Sequence, residues 1–96
     1  MGNETTDPPL LREDRNTILL ESMKLRNFLE TNHLVQANAI AQKLEGMVND
    51  YLKKQPNPEE NPYWGTYISL LRIKSEILSG RQIEALRESE EVIKNL

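Results

Sequence analysis

The sequence predicts an all-α fold of four antiparallel helices, arranged as two helix-turn-helix hairpins. Apolar residues recur at steps of three and four through four long segments. Turn-forming residues separate those segments. The pattern of the first two segments also returns in the last two, 48 residues later.

Residues 1–12 read as a flexible lead-in: "NETTDPP" is polar, with two prolines and no period. The remainder, 13–96, reads as one helical domain with a hairpin over 13–54, a loop over 55–61 and a hairpin over 62–96. Helix one is expected from Arg12 to Glu30, with Ile18, Leu19, Met23, Leu25, Phe28 and Leu29 at helical spacing. Asn32 tolerates the left-handed conformation that ends helices, so "ETNH" is expected to stop it. Helix two is expected from Leu34 to Lys54. Val35, Ala37, Ile40, Ala41, Leu44, Met47, Val48, Tyr51 and Leu52 form one broad apolar stripe. Gly46 inside it costs about 1 kcal/mol relative to alanine, unless close helix packing offsets that cost.

"QPNPEENP" (55–62) is the clearest loop, with three prolines and two asparagines. Asn61-Pro62 reads as an N-cap followed by proline in the first turn, starting helix three, which is expected to reach Ser79. Two apolar faces are expected on it: Trp64, Tyr67, Ile68, Leu71 and Leu78, then Leu70, Ile73 and Ile77. A helix with two apolar faces is expected to be central. Helix four follows Gly80, with Ile83, Leu86, Val92, Ile93 and Leu96 as a thin apolar face.

The repeat appears when "TNHLVQANAIAQKL" (31–44) is set over "SGRQIEALRESEEV" (79–92). Asn32 meets Gly80, Val35 meets Ile83, Ala37 meets Ala85 and Leu44 meets Val92. Upstream, Met23 meets Leu71, Lys24 meets Arg72, Leu25 meets Ile73 and Leu29 meets Ile77. Two antiparallel helices on a tight turn need a small residue where their axes approach, a role suited to Ala37 and Ala85. "GRQIEAL" (80–86), a turn glycine followed five residues later by a small alanine, resembles the tetratricopeptide-repeat family. "NHLVQAN" (32–38) is a weaker copy. The resemblance spans roughly residues 16–96. It departs from the family at Arg72, Ile73 and Glu76, where that family's first-helix pattern is unmet, and in its longer period. It implies helical hairpins that bind a protein or peptide.

Composition narrows the function. Hydrophobic residues make up 38% of 96 residues, and mean hydropathy is −0.63, so much of each helix must face water. Net charge is −3, without the clustered Lys and Arg that nucleic acid or an anionic membrane requires. No apolar run approaches the roughly 20 residues that span a bilayer. The start is acidic, unlike a signal peptide, so a cytoplasmic location is expected. Met1-Gly2-Asn3-Glu4-Thr5-Thr6 fits the loose myristoylation pattern but lacks a polybasic second signal. No cysteine is present, which excludes disulfides and thiolate metal sites.

No catalytic constellation and no cofactor motif stands out. His33 is the single histidine and sits at a turn, while Glu59-Glu60 and Glu90-Glu91 read as solvated charge. There is no phosphate-cradling glycine loop. The chain is not expected to be an enzyme, to use a cofactor or to hold a metal.

Partner-binding candidates are Tyr63, Trp64 and Tyr67, because Tyr and Trp are frequent interface anchors. Their competing role is hairpin core. Lys24 with Arg26, and Arg72 with Lys74, offer positive charge for a carboxylate or an acidic peptide, or are simply solvated faces. The expectation is a non-catalytic protein- or peptide-binding module acting as adaptor or regulatory subunit. The alternatives are a compact bundle that blocks one target (an inhibitor, anti-repressor or immunity-type protein) and a structural subunit completed by oligomerisation. A homodimer is a natural way to cover leftover apolar surface.

Overall fold

The computed structural model describes residues 12–96; residues 1–11 of the expected lead-in, with the Gly2 motif, lie outside them, and Arg12 opens the first helix. Four helices follow in order: α1 (Arg12–Glu30), α2 (Leu34–Lys53), α3 (Trp64–Leu78) and α4 (Gln82–Asn95). One 3-10 turn, Pro58–Glu60, lies in the α2–α3 connection. Among the described residues there is no strand.

Each helix packs on two others. α1 lies on α2 and α4, and α3 lies on the same pair, so the four close a ring with α1 and α3 on one diagonal. Short turns make α2 antiparallel to α1 and α4 antiparallel to α3. A half-turn about the bundle axis therefore carries α1 onto α3 and α2 onto α4. No helix is central, contrary to the expectation for α3. Of its two expected faces, Leu70, Ile73 and Ile77 are buried in the common core. Trp64 and Tyr67 are only half-buried against that core, and Leu71 and Leu78 remain exposed.

The core obeys the repeat. Ile18 and Thr66, Ser22 and Leu70, Leu25 and Ile73, Leu29 and Ile77 are buried pairs 48 residues apart. So are Ala37 and Ala85, Ala41 and Ser89, and Leu44 and Val92. The two further buried residues, Val48 and Leu52, lie in the last turns of α2, which at 20 residues is longer than α4 at 14. Each fully buried large apolar side chain contributes about 1.5–3 kcal/mol relative to exposure.

The turns repeat atom for atom. Asn32 and Gly80 adopt left-handed φ values of 59° and 73°. The His33 N–H donates to Phe28 O at 2.7 Å and the Asn32 N–H to Leu29 O at 3.2 Å. In the second copy Arg81 N–H reaches Glu76 O at 2.7 Å and Gly80 N–H reaches Ile77 O at 3.1 Å. Both are Schellman closures, which satisfy the last helical carbonyls. Even the hydroxyls correspond: Thr31 Oγ1 donates to Asn27 O and Ser79 Oγ to Ser75 O, both at 2.9 Å.

α3 starts later than Asn61-Pro62 suggests. Asn61 Oδ1 accepts the Tyr63 N–H and its carbonyl accepts the Trp64 N–H, each at 2.9 Å. Asn61 thus closes a turn through Pro62, and the helix begins at Trp64. Gly46 is not required by close packing, because an added Cβ would meet nothing within 4 Å.

Candidate interaction surface

The bundle has two ends. The α2–α3 connection lies at one, and the turns 31–33 and 79–81 lie at the other. Tyr63, Trp64 and Tyr67 come together at the first. The Tyr51 and Tyr63 rings meet edge-on at 5.5 Å, and Trp64 and Tyr67 lie 5.5 Å apart. Asn61 Nδ2 donates to the Tyr51 hydroxyl at 3.2 Å. All three candidates are half-buried and pack against the core. Tyr63 packs on Tyr51, Trp64 faces the proline loop, and all three residues stay partly exposed. Trp64 also walls a cleft of about 340 Å³ with Pro56, Pro58, Glu59 and Glu60.

Lys24 and Arg72 are exposed and ion-paired, Lys24 with Glu21 at 3.2 Å and Arg72 with Glu88 at 3.8 Å. They stand on α1 and α3, the diagonal helices, so no single inter-helix groove holds both. Lys74 is taken up by Glu45 across the α2–α3 seam at 2.9 Å. Asn32, Ala37, Gly80 and Ala85 build the turns as described.

The turn end holds a surface that sequence reasoning did not single out. Leu34, Val35, Asn38, Ile77 and Leu78 line a notch of about 280 Å³ at the α2–α3 seam. Val35 is 82% exposed and Leu78 77%. The corresponding place on the α4–α1 seam has Gln82 for Leu34 and Glu30 for Leu78. There the Gln82 amide donates to the Leu29 carbonyl across the seam.

The outer faces of α2 and α4 differ in the same sense. Thr31–Gln42 contains no Asp, Glu, Lys or Arg, whereas Ser79–Glu90 contains five. His33, Gln36, Ala39 and Gln42 are exposed along α2. Their counterparts Arg81, Glu84, Arg87 and Glu90 are equally exposed along α4. The fold therefore tolerates charge at these places, and its absence from α2 is a property of that face. Reading the repeat for surface as well as core positions would have found it.

Glu76 occupies the position of Phe28 in the first copy, and its Oε1 is buried without a hydrogen-bond partner. Burial raises its pKa above the ordinary carboxylate value. Glu88 and Glu84 add to the rise, and Arg81 and Arg72 oppose it.

No family model matches this chain, and neither a curated protein nor a solved structure is significantly similar to it.

Proposed function

We propose that this chain is a non-catalytic protein-binding module, acting as an adaptor or regulatory subunit. One observation carries the reading. Residues 34–42 of α2 carry no Asp, Glu, Lys or Arg beside an apolar notch, whereas residues 82–90 of α4 carry four. Interface centres are depleted in charge and enriched in apolar contact, while solvated helix faces are not. The turn resemblance to tetratricopeptide hairpins supports the same class of function. Closure of α1 onto α4 favours the second reading, a compact bundle that blocks one target, because a closed ring leaves no open inner groove.

The test is affinity capture from the source cells with the full chain and with Val35→Glu. A stoichiometric protein lost with Val35→Glu, but retained with the counterpart Ile83→Glu, is expected. Capture that both variants leave unchanged would move the binding surface elsewhere. The aromatic end is tested by Trp64→Ala: lost capture with unchanged helical content marks an anchor, and lost helicity marks core.

A further inference from the structure

The cleft at the aromatic end, about 340 Å³, combines an indole wall at Trp64, two prolines and the carboxylates of Glu59 and Glu60. We infer that it takes an arginine side chain presented by a protein partner. The source of that arginine rests on the protein-binding reading. The cleft itself does not, since it lies at the opposite end of the bundle from the Val35 notch.

Charge selects a cation. Residues 55–64 hold two Glu and no Lys or Arg. Both carboxylates are exposed, and among the described residues neither forms an ion pair. Lys53 and Lys54 follow the end of α2 without lining the cleft, and Lys53 pairs with Asp50 at 3.9 Å. The backbone points the same way. Three prolines leave residues 55–62 with three fewer N–H donors than carbonyl acceptors. The Glu60 and Asn61 N–H groups are already spent on Asn57 O and Pro58 O, at 3.0 and 3.1 Å. A loop short of donors suits a group that only donates, as guanidinium and ammonium do.

Shape selects arginine over lysine. A guanidinium is planar, stacks on aromatic rings and presents a fork of N–H groups that matches a carboxylate. An ammonium is a compact, strongly hydrated point charge with neither property. The indole wall is held in place by the Trp64 N–H, which donates to Asn61 O at 2.9 Å, and by the Tyr67 ring 5.5 Å away. The helix repeat does not call for an indole here, because the counterpart 48 residues earlier is Asn16, exposed on α1.

Trp64 is the only tryptophan, so its indole N–H gives one isolated resonance in nitrogen-edited NMR of the full chain. Titration with the acetylated, amidated peptide Gly-Arg-Gly should move that resonance saturably. Gly-Glu-Gly should not move it, and Gly-Lys-Gly should bind more weakly. Glu59→Gln combined with Glu60→Gln should weaken the arginine peptide by roughly tenfold, with helical content unchanged. Glu90→Gln combined with Glu91→Gln, an exposed pair on α4 away from any indole, should leave its affinity as it was. No saturable shift, equal affinity for the lysine peptide, or equal effects of the two double variants would each overturn the inference. If the titration fails while Val35→Glu still loses a captured protein, this inference falls and the protein-binding reading stands.

Discussion

The two hairpins are built alike on the inside and differently on the outside. Inward positions correspond pair by pair, down to the closing hydrogen bonds of both turns. Val35 and Ile83 are both exposed and apolar, but the outward positions Gln36, Ala39 and Gln42 of α2 have charged counterparts on α4 in Glu84, Arg87 and Glu90. Packing fixes the inward set, because interiors are dense and a volume change of one methylene is felt. Nothing in the packing dictates whether an exposed position carries Ala39 or Arg87.

The largest effects should come from breaking that inner equivalence. Ala37 and Ala85 are fully buried where paired helices approach. Enlarging either residue to leucine should destabilise the bundle by about 1–3 kcal/mol, as overpacking does. The equivalence predicts similar losses for Ala37→Leu and Ala85→Leu in urea titrations. A loss confined to one hairpin would show that the two seams are not packed alike.

The turns come next. Gly80→Ala places a Cβ at φ 73° and should cost about 1–2 kcal/mol, read as a lower urea midpoint. Asn32→Gly should do the opposite on a smaller scale, since asparagine already tolerates the left-handed region and glycine has no Cβ penalty. Gly46→Ala should gain about 1 kcal/mol, because the helix interior favours alanine and the added methyl meets open space. A loss on Gly46→Ala would mean that something occupies that space in solution.

Helix spacing, both turn residues and the 48-residue repeat made the four helices and most of the core legible in the sequence. Ser22, Thr66 and Ser89 were not read as core, because polar side chains give no hydropathy signal even when their small size is what the helix contact selects. Val35, Leu78 and Ile83 failed in the other direction: their apolarity reads as burial, and only packing shows that no helix among the described residues covers them. The start of α3 depended on how Asn61 spends its hydrogen bonds, between a cap and a preceding turn. Tyr63, Trp64 and Tyr67 were legible as a cluster, but their division between core and surface was not, because half-buried rings serve both.

The smallest expected effect sharpens the comparison most narrowly. At the place where the first hairpin has Phe28, the second has Glu76, with one carboxylate oxygen buried and unpartnered. Burial, then Glu88 and Glu84, raise its folded pKa above its unfolded value. A raised carboxyl binds its proton more tightly in the folded chain, so protonation favours folding. Its stabilising contribution is complete below the unfolded pKa and is lost as pH rises through the folded one. Glu76→Gln should therefore stabilise the bundle at neutral pH and flatten this part of the stability profile. The change is small, since Arg81 and Arg72 offset part of the cost. The counterpart Phe28→Gln should instead destabilise at every pH, because it removes apolar packing and leaves no titration behind. If the Glu76→Gln profile kept the slope of the parent chain between the two pKa values, Glu76 would have to be solvated like any surface glutamate. The inner equivalence of the hairpins would then end short of this position.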